Sequence, residues 1–238
     1  MRFLDLTLDG IADNLALDEA LLLAAEAGGG SEILRVWEWP TPAVVLGTGC
    51  RLTQDVDEGA CRAAGVPILR RSSGGGTVLL GRGCLCYSLI LSYDRSLALT
   101  EIPTSYVHIL ENVLRALNGI VPGLERAGTS DLAAAGRKFS GNSQQRKRTH
   151  LLHHGTLLYD FDVGLVGRYL RQPERQPEYR TRRDHGDFLM NLQVGVEELK
   201  RRLRIGWEAG EEASVWPEEL VRRLVAEKYS KADWTRRR

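Results

Sequence analysis

Nine consecutive residues carry the strongest chemical signal in this 238-residue chain: Arg70-Arg71-Ser72-Ser73-Gly74-Gly75-Gly76-Thr77-Val78. Three glycines in a row let a backbone come close to a ligand and turn several N–H groups toward it. Two arginines at the entrance add forked donors suited to a phosphate or a carboxylate. The run is not a Walker loop, because no Gly-Lys-Ser/Thr follows. It is not a dinucleotide fingerprint either, because the glycine spacing is wrong and no helix is expected to open after it. A plain hairpin turn is the alternative, yet a hairpin needs one or two glycines and no arginine pair. An anion-binding loop is the expectation.

Gly136-Arg137-Lys138-Phe139-Ser140-Gly141-Asn142 is the second signal. It sets one compact positive charge between glycines beside an alternating strand, where Lys138 could enter a pocket; a solvated strand-end lysine is the plainer alternative. The third is His153-His154-Gly155-Thr156-Leu157-Leu158-Tyr159, and His150 makes three histidines in five positions. Adjacent strand residues point to opposite faces, so one metal site shared by these histidines is not expected. Neither His-Glu-x-x-His nor Gly-x-Ser-x-Gly occurs. Cys84 and Cys86 lack a second metal-type pair and, with Cys50 and Cys61, read as free packing thiols of a reducing compartment.

These runs need elements to hold them. The opening residues 3–8 alternate like a half-buried strand, and Asp13 is expected to cap a helix that stops at Gly28-Gly29-Gly30. Residues 33–39 and 43–47 read as strands separated by the Pro40 and Pro42 turn, and 57–64 as a short helix. Strands at 66–71, 77–80 and 85–93 flank the glycine run. A second long helix is expected to start at Thr104 or Ser105, after Pro103, with Val107, Leu110, Val113 and Leu117 at helical spacing. Strand-like runs follow at 131–140 and 154–161. The last third reads as a helix at 164–171, an Arg/Pro-rich stretch at 171–187, helices near 195–204 and 217–229, and a frayed Arg236-Arg237-Arg238 tail. Helices interspersed with short, turn-linked strands predict an α+β fold with a mixed, largely antiparallel sheet flanked by helices.

Composition excludes several partner classes. Lys plus Arg number 32 and Asp plus Glu 31, a net charge of +1 that gives no support for binding nucleic acid through bulk charge. With 43% hydrophobic and 26% charged residues the chain has globular values, not those of a disordered one. No apolar run approaches the ~18 residues of a membrane span, and Asp5 comes too early for a signal peptide. A cytoplasmic protein with no nucleic-acid or membrane partner is expected. At roughly 150 residues per domain the length suggests one large domain or a domain with an appendage. It is read as a single catalytic domain over 1–238, of which 188–238 is the helical C-terminal part.

In this order and with these separations, the three runs resemble the lipoate–protein ligase A family of acyl-adenylate enzymes, which shares a fold with biotin protein ligases and lipoate-pathway octanoyltransferases. Asn14-Leu15-Ala16-Leu17-Asp18-Glu19-Ala20 resembles the family's first helix, and residues 37–47 its two-strand lead-in. The resemblance implies the class II synthetase-like fold of biotin and lipoate ligases, with ATP and Mg²⁺ as cofactors and lipoate as substrate. A lipoate carboxylate would attack the α-phosphate of ATP, and a lysine amine of a carrier domain would then attack the lipoyl-AMP. It makes Lys138 the catalytic cation. It places Arg70, Arg71, Ser73, Gly74, Gly75, Gly76, Thr77, Val78 and Leu79, with Lys138, Gly141, Asn142, His154, Gly155 and Thr156, around lipoate and ATP. Asp131 would be a Mg²⁺ ligand. The implied partner is a lipoyl carrier domain, such as an E2 subunit or the glycine-cleavage H protein, with a separate accessory subunit as a second partner.

Two departures bear on activity. Where the family carries a His-Asp pair after the glycine loop, this chain has Leu80-Gly81-Arg82-Gly83-Cys84, and its length leaves no room for the family's C-terminal accessory domain. Transfer is therefore better supported than activation. Octanoyl or lipoyl transfer through a cysteine thioester is the alternative, although no cysteine follows Cys86. A non-catalytic lipoate-binding subunit is a second one, and a biotin ligase is disfavoured by the missing Gly-Arg-Gly-Arg loop. The stretch with Arg171, Arg175, Arg180, Arg182 and Arg183 is either a self-paired surface or a dock for an acidic carrier.

Overall fold

The computed structural model describes every residue except 29, 30 and 175. Gly29 and Gly30 of the expected helix stop, and Arg175 of the arginine-rich stretch, therefore lie outside the described residues. The chain begins with β1 (Arg2–Asp5), α1 (Ile11–Glu26), β2 (Ile33–Glu38) and β3 (Ala43–Leu46), then α2 (Leu52–Asp55) and α3 (Glu58–Ala63). β4 (Ile68–Arg70), β5 (Val78–Leu80), β6 (Cys84–Ser92) and α4 (Ile102–Ala116) follow. The hairpins of β7 (Leu124–Ala127), β8 (Asp131–Ala134), β9 (Arg137–Arg146) and β10 (His150–Leu158) come next. α5 (Gly164–Tyr169), α6 (His185–Phe188), α7 (Val196–Gly206), β11 (Glu211–Glu212), α8 (Glu218–Leu224) and α9 (Ala232–Arg236) complete it.

Eight strands form one mixed sheet in the order β11-β1-β2-β6-β10-β9-β8-β7, parallel at β11-β1-β2 and antiparallel elsewhere. A three-stranded sheet, β4-β3-β5, stands beside it. Period-two alternation splits the large sheet between two cores. Cys84, Cys86 and Ile90 of β6 join the core built on α1 and the small sheet. Leu85, Tyr87, Leu89 and Leu91 join the other, closed by Ile109 and Val113 of α4 and Leu199 and Leu203 of α7. The expected α+β architecture with a mixed, largely antiparallel sheet is the one observed.

α1 is apolar on most of its circumference because it is sandwiched between β6 and β10 on one side and α8 on the other. Its entrance differs from expectation. The helix begins at Ile11, and Asn14 organises the turn: its side chain accepts from Leu8 N–H and donates to the Leu8 and Gly10 carbonyls. Asp13 sits in the first turn, where a carboxylate favours the helix dipole. α4 likewise starts at Ile102, with the proline inside its first turn. The strand-like run 131–140 is two strands joined by a tight turn at Ala135 and Gly136, both at positive φ. β10 begins at His150, earlier than expected, because it pairs with β6 along its whole length.

The C-terminal segment is not frayed. Beyond α8 a π-helical turn, Val225–Tyr229, brings Lys228 and Tyr229 onto Glu19 of α1. α9 then lies against β4, where Trp234 Nε1 donates to the Arg70 carbonyl at 2.8 Å.

Candidate active site

The glycine run leaves β4 and returns in β5, and its two arginines part company at once. The Arg70 side chain is fully buried and donates to the carbonyls of Thr235, Gly47 and Cys50, so it braces the loop from behind and does not line the cavity. Arg71 faces the cavity. Its guanidinium donates to Ser73 Oγ (2.9 Å), to the Gly76 carbonyl (2.9 Å) and to the Gly74 carbonyl. Burial pulls Arg71 down to about 10, still cationic at neutral pH. Ser143 Oγ also donates to the Gly74 carbonyl, and Cys50 Sγ to that of Gly75. With the carbonyls turned inward, the N–H groups of Gly74, Gly75, Gly76 and Thr77 have no protein acceptor among the described residues. Gly75 takes φ +78°, and a Cβ there would stand 2.9 Å from Arg71 Nη2. This is an open nest of donors backed by a buried cation, a form that binds anions.

Lys138 enters from β9. The register of β8 against β9 slips between Leu132 and Ala133, so Ser140 faces Leu132 and Lys138 faces Ala133, with Phe139 as the extra residue. Such a bulge re-aims side chains: Phe139 goes into the second core while Lys138 lines the cavity. Lys138 Nζ pairs with Asp131 Oδ1 at 2.8 Å, and Tyr179 donates its hydroxyl to Asp131 Oδ2 at 2.8 Å. Gly141 lies under the Lys138 side chain, and a Cβ there would stand 2.7 Å from Nζ, so a side chain at 141 would push the ammonium out of this position. Tyr179 belongs to the arginine-rich stretch, which thus borders the site. Arg180 of that stretch is buried, donating to Gln172 Oε1 and the Arg183 carbonyl, and presents no charge for docking.

His153 and His154 point to opposite faces, as strand geometry requires. His153 is buried beside Tyr87 and Tyr106, and burial, then the neighbouring His154, pulls it down to about 3. His154 lines the cavity, with Nε2 2.6 Å from Ser73 Oγ and Nδ1 3.3 Å from Asp18 Oδ2. Burial alone would raise the Asp18 carboxyl, but Arg35, His154 and Ser88 outweigh it and hold the group below its ordinary range. Asn142 accepts from Tyr87 and donates to the Ser130 carbonyl, so it braces β9 on β8 and β6.

A single cavity, about 720 Å³ of empty space with its open mouth included, gathers most of the residues singled out in the sequence. Arg71, Gly75, Gly76, Thr77 and Val78 line it from the loop; Lys138, Asp131, Gly141 and Asn142 from β8 and β9; His154, Gly155 and Thr156 from β10. Arg70, Ser73, Gly74 and Leu79 are outside its lining. Leu15, Trp37, Val45, Leu80 and Cys86 add an apolar wall that motif reading did not find. Asp18 also escaped that reading, although an acid pair in the middle of an apolar helix is a visible signal.

The residues present fit a polyphosphate through the loop donors, Arg71 and Lys138. Asp131 would meet a Mg²⁺ only together with the phosphates of a nucleotide, the usual mode for that ion: both its oxygens are engaged here by Lys138 and Tyr179, and no group of three or more metal-type side chains occurs among the described residues. All four cysteines are free. Cys86 is the one that lines the cavity, and its thiol is pushed well above the ordinary range by hydrogen bonding to Cys84 and by burial.

Comparison with known proteins adds the family. Residues 10–204 match the lipoyl protein ligase A/B catalytic-domain model. An octanoyltransferase LipM of Carboxydothermus hydrogenoformans is 30% identical, over 98% of this chain and 97% of that protein. A bi-partite lipoate protein ligase of Thermoplasma acidophilum, described with its E2 lipoyl domain, has a TM-score of 0.81 at 23% identity, over 99% of this chain and 95% of that one. A lipoate-protein ligase A bound with ATP has a TM-score of 0.81 at 24% identity, over 99% and 98% of the two chains. The two structures share the fold.

Proposed function

The chain belongs to the lipoyl protein ligase A/B catalytic-domain family, and from that premise we propose that it forms the amide between a lipoyl or octanoyl group and a lysine of a lipoyl carrier domain, drawing on an acyl adenylate made with ATP. The observation that carries this reading is the convergence of Lys138, Arg71 and a row of N–H groups with no acceptor among the described residues on one cavity that also has an apolar wall.

The apolar wall of Leu15, Trp37, Val45 and Leu80 suits a medium acyl chain. The loop N–H groups and Arg71 suit the phosphate. Lys138 suits the junction between them, where both steps build negative charge on oxygen: first at the α-phosphate, then at the tetrahedral carbon attacked by the carrier amine. Donors fixed before the reaction stabilise such charge without reorganising. Asp131 holds the Lys138 ammonium and would give it up to the more strongly charged substrate. The ATP-bound relative and the relative described with an E2 lipoyl domain support these choices of substrate and partner. The four free thiols support a cytoplasmic setting. Over 1–238 the chain reads as one catalytic unit, because α7 closes one core and α8 the other.

A cysteine-held acyl thioester is the second reading, favoured by the octanoyltransferase name of the LipM relative. Cys86 is the thiol in the cavity, and a thiol with a raised pKa is a poor nucleophile. Intact mass of an apo lipoyl carrier distinguishes the readings in three incubations: lipoate with Mg-ATP, preformed lipoyl-AMP, and octanoyl-acyl carrier protein. Mass gain from lipoyl-AMP that survives Cys86→Ala and is lost in Lys138→Ala is the expected result. Gain from lipoate and Mg-ATP as well would make the chain self-sufficient. Gain only from the octanoyl carrier, lost in Cys86→Ala, would replace the adenylate reading with the thioester one.

A further inference from the structure

Asp18 sits in the middle of the buried helix α1, is 3% exposed, and yet lines the cavity. Its Oδ1 accepts from Arg35 Nη1 at 2.6 Å and its Oδ2 from Ser88 Oγ at 2.7 Å. The same Oδ2 lies 3.3 Å from His154 Nδ1, while His154 Nε2 is 2.6 Å from Ser73 Oγ. Ser73 Oγ in turn accepts from Arg71 Nε at 2.9 Å. With a neutral His154, the donor inventory of these groups gives the chain one direction. A guanidinium only donates, so Ser73 accepts from Arg71 and turns its own proton to His154 Nε2. An ionised carboxylate only accepts, so His154 carries its proton on Nδ1. The chain therefore runs from the anion loop through β10 into α1 and ends on a carboxylate clamped by Arg35.

We propose that Asp18 is a positioning residue for the anion loop: by holding His154 as the Nδ1–H tautomer it gives Ser73 an acceptor, and so keeps Ser73, Arg71 and the N–H groups of residues 74–77 in their ligand-binding arrangement. Asp18 acts through His154 and Ser73. The inference rests on the acyl-transfer reading only for its kinetic test.

The direct test is nitrogen NMR of the full chain labelled with ¹⁵N-histidine, with His154 identified by backbone assignment. A protonated Nδ1 and a bare Nε2 are expected, and a protonated Nε2 in the unsubstituted protein overturns the proposal. Asp18→Asn preserves shape but offers an amide that donates to Nδ1, which favours the other tautomer. In that variant the His154 signals should switch, and KM for preformed lipoyl-AMP should rise about tenfold, the size of one lost hydrogen bond to a charged group. Mere loosening of the fold would lower the active fraction, and with it kcat, but not shift KM or the tautomer. A switched tautomer with unchanged KM also overturns the proposal. If Asp18→Asn fails to fold, Ser73→Ala leaves the Asp18–Arg35 pair whole and cuts the link to the loop. The same rise in KM, with the Nδ1–H tautomer retained, is then expected, and an unchanged KM counts against it. If the unsubstituted protein modifies no carrier, the acyl-transfer reading fails. The relay is then judged on the tautomer and on calorimetric binding of a non-hydrolysable acyl-adenylate analogue, weaker in Ser73→Ala if the inference holds and equal if it does not.

Discussion

Lys138 and His153 stand 15 positions apart in the chain and do opposite things with a positive charge. Lys138 presents its ammonium to the cavity, paired with Asp131 at 2.8 Å. Lys138→Met preserves length and removes the charge, and is expected to lower carrier modification from lipoyl-AMP by roughly 10²–10³-fold, as for loss of one fixed oxyanion donor. Single-turnover rates of the two proteins check this, and a loss under threefold would remove Lys138 from the chemistry. His153 refuses a charge: burial pulls it from its ordinary 6.5 to about 3. Between those values the unfolded chain binds a proton at His153 that the folded chain does not. Stability is therefore fully present above about pH 6.5 and falls as pH drops toward 3, by up to about 1.4 kcal/mol per pH unit. Replacing this histidine with a ring that cannot titrate, His153→Phe, is expected to flatten that acid limb by one proton. Urea unfolding at pH 4, 5, 6 and 7 measures the slope, and equal slopes in both proteins would refute the assignment.

At the scale of elements, the C-terminal segment serves as a brace for the glycine loop. Trp234 donates to the Arg70 carbonyl, Arg70 donates back to the Thr235 carbonyl, and Arg237 and Lys228 stack on the Trp234 ring. This ties α9 to the strand that launches the glycine run. Trp234→Ala removes one hydrogen bond and two cation–π contacts and is expected to cost about 2 kcal/mol. Because the strap holds β4, KM for the adenylate should rise along with the loss of stability. Thermal unfolding and steady-state kinetics read the two effects separately, and a variant of native stability would show that the strap carries no load.

Across the whole molecule, one sheet serves two cores, so neither face can unfold and leave the other intact. Leu17 is fully buried in the core of α1, and Leu203 in the core of α4 and α7. Each truncation to alanine is expected to cost about 2–5 kcal/mol, and in each variant the far-ultraviolet circular dichroism and tryptophan fluorescence transitions should coincide. Separated transitions would mean that the two faces fold as independent units. The site lies on the α1 face, between the large sheet and the small one, and draws residues from both.

Much of this was legible in the sequence. The glycine run, the lysine run and the paired histidines name the loop and the strands of the site, because those functions demand residue types that periodic packing does not. Helices interspersed with short, turn-linked strands pointed to the mixed sheet. Three matters needed the tertiary structure. Arg70 and Arg71 are equivalent as letters, yet one braces the loop from behind and the other faces the cavity, because consecutive side chains leave a strand on opposite sides. The C-terminal residues read as a basic tail until Trp234 finds a carbonyl 164 positions away. Asp18 reads as one acid on a helix until β2, β6 and β10 bring Arg35, Ser88 and His154 to it. Local chemistry is written in adjacent residues, whereas which groups meet across a buried space depends on strand order and register, which only the packed fold decides.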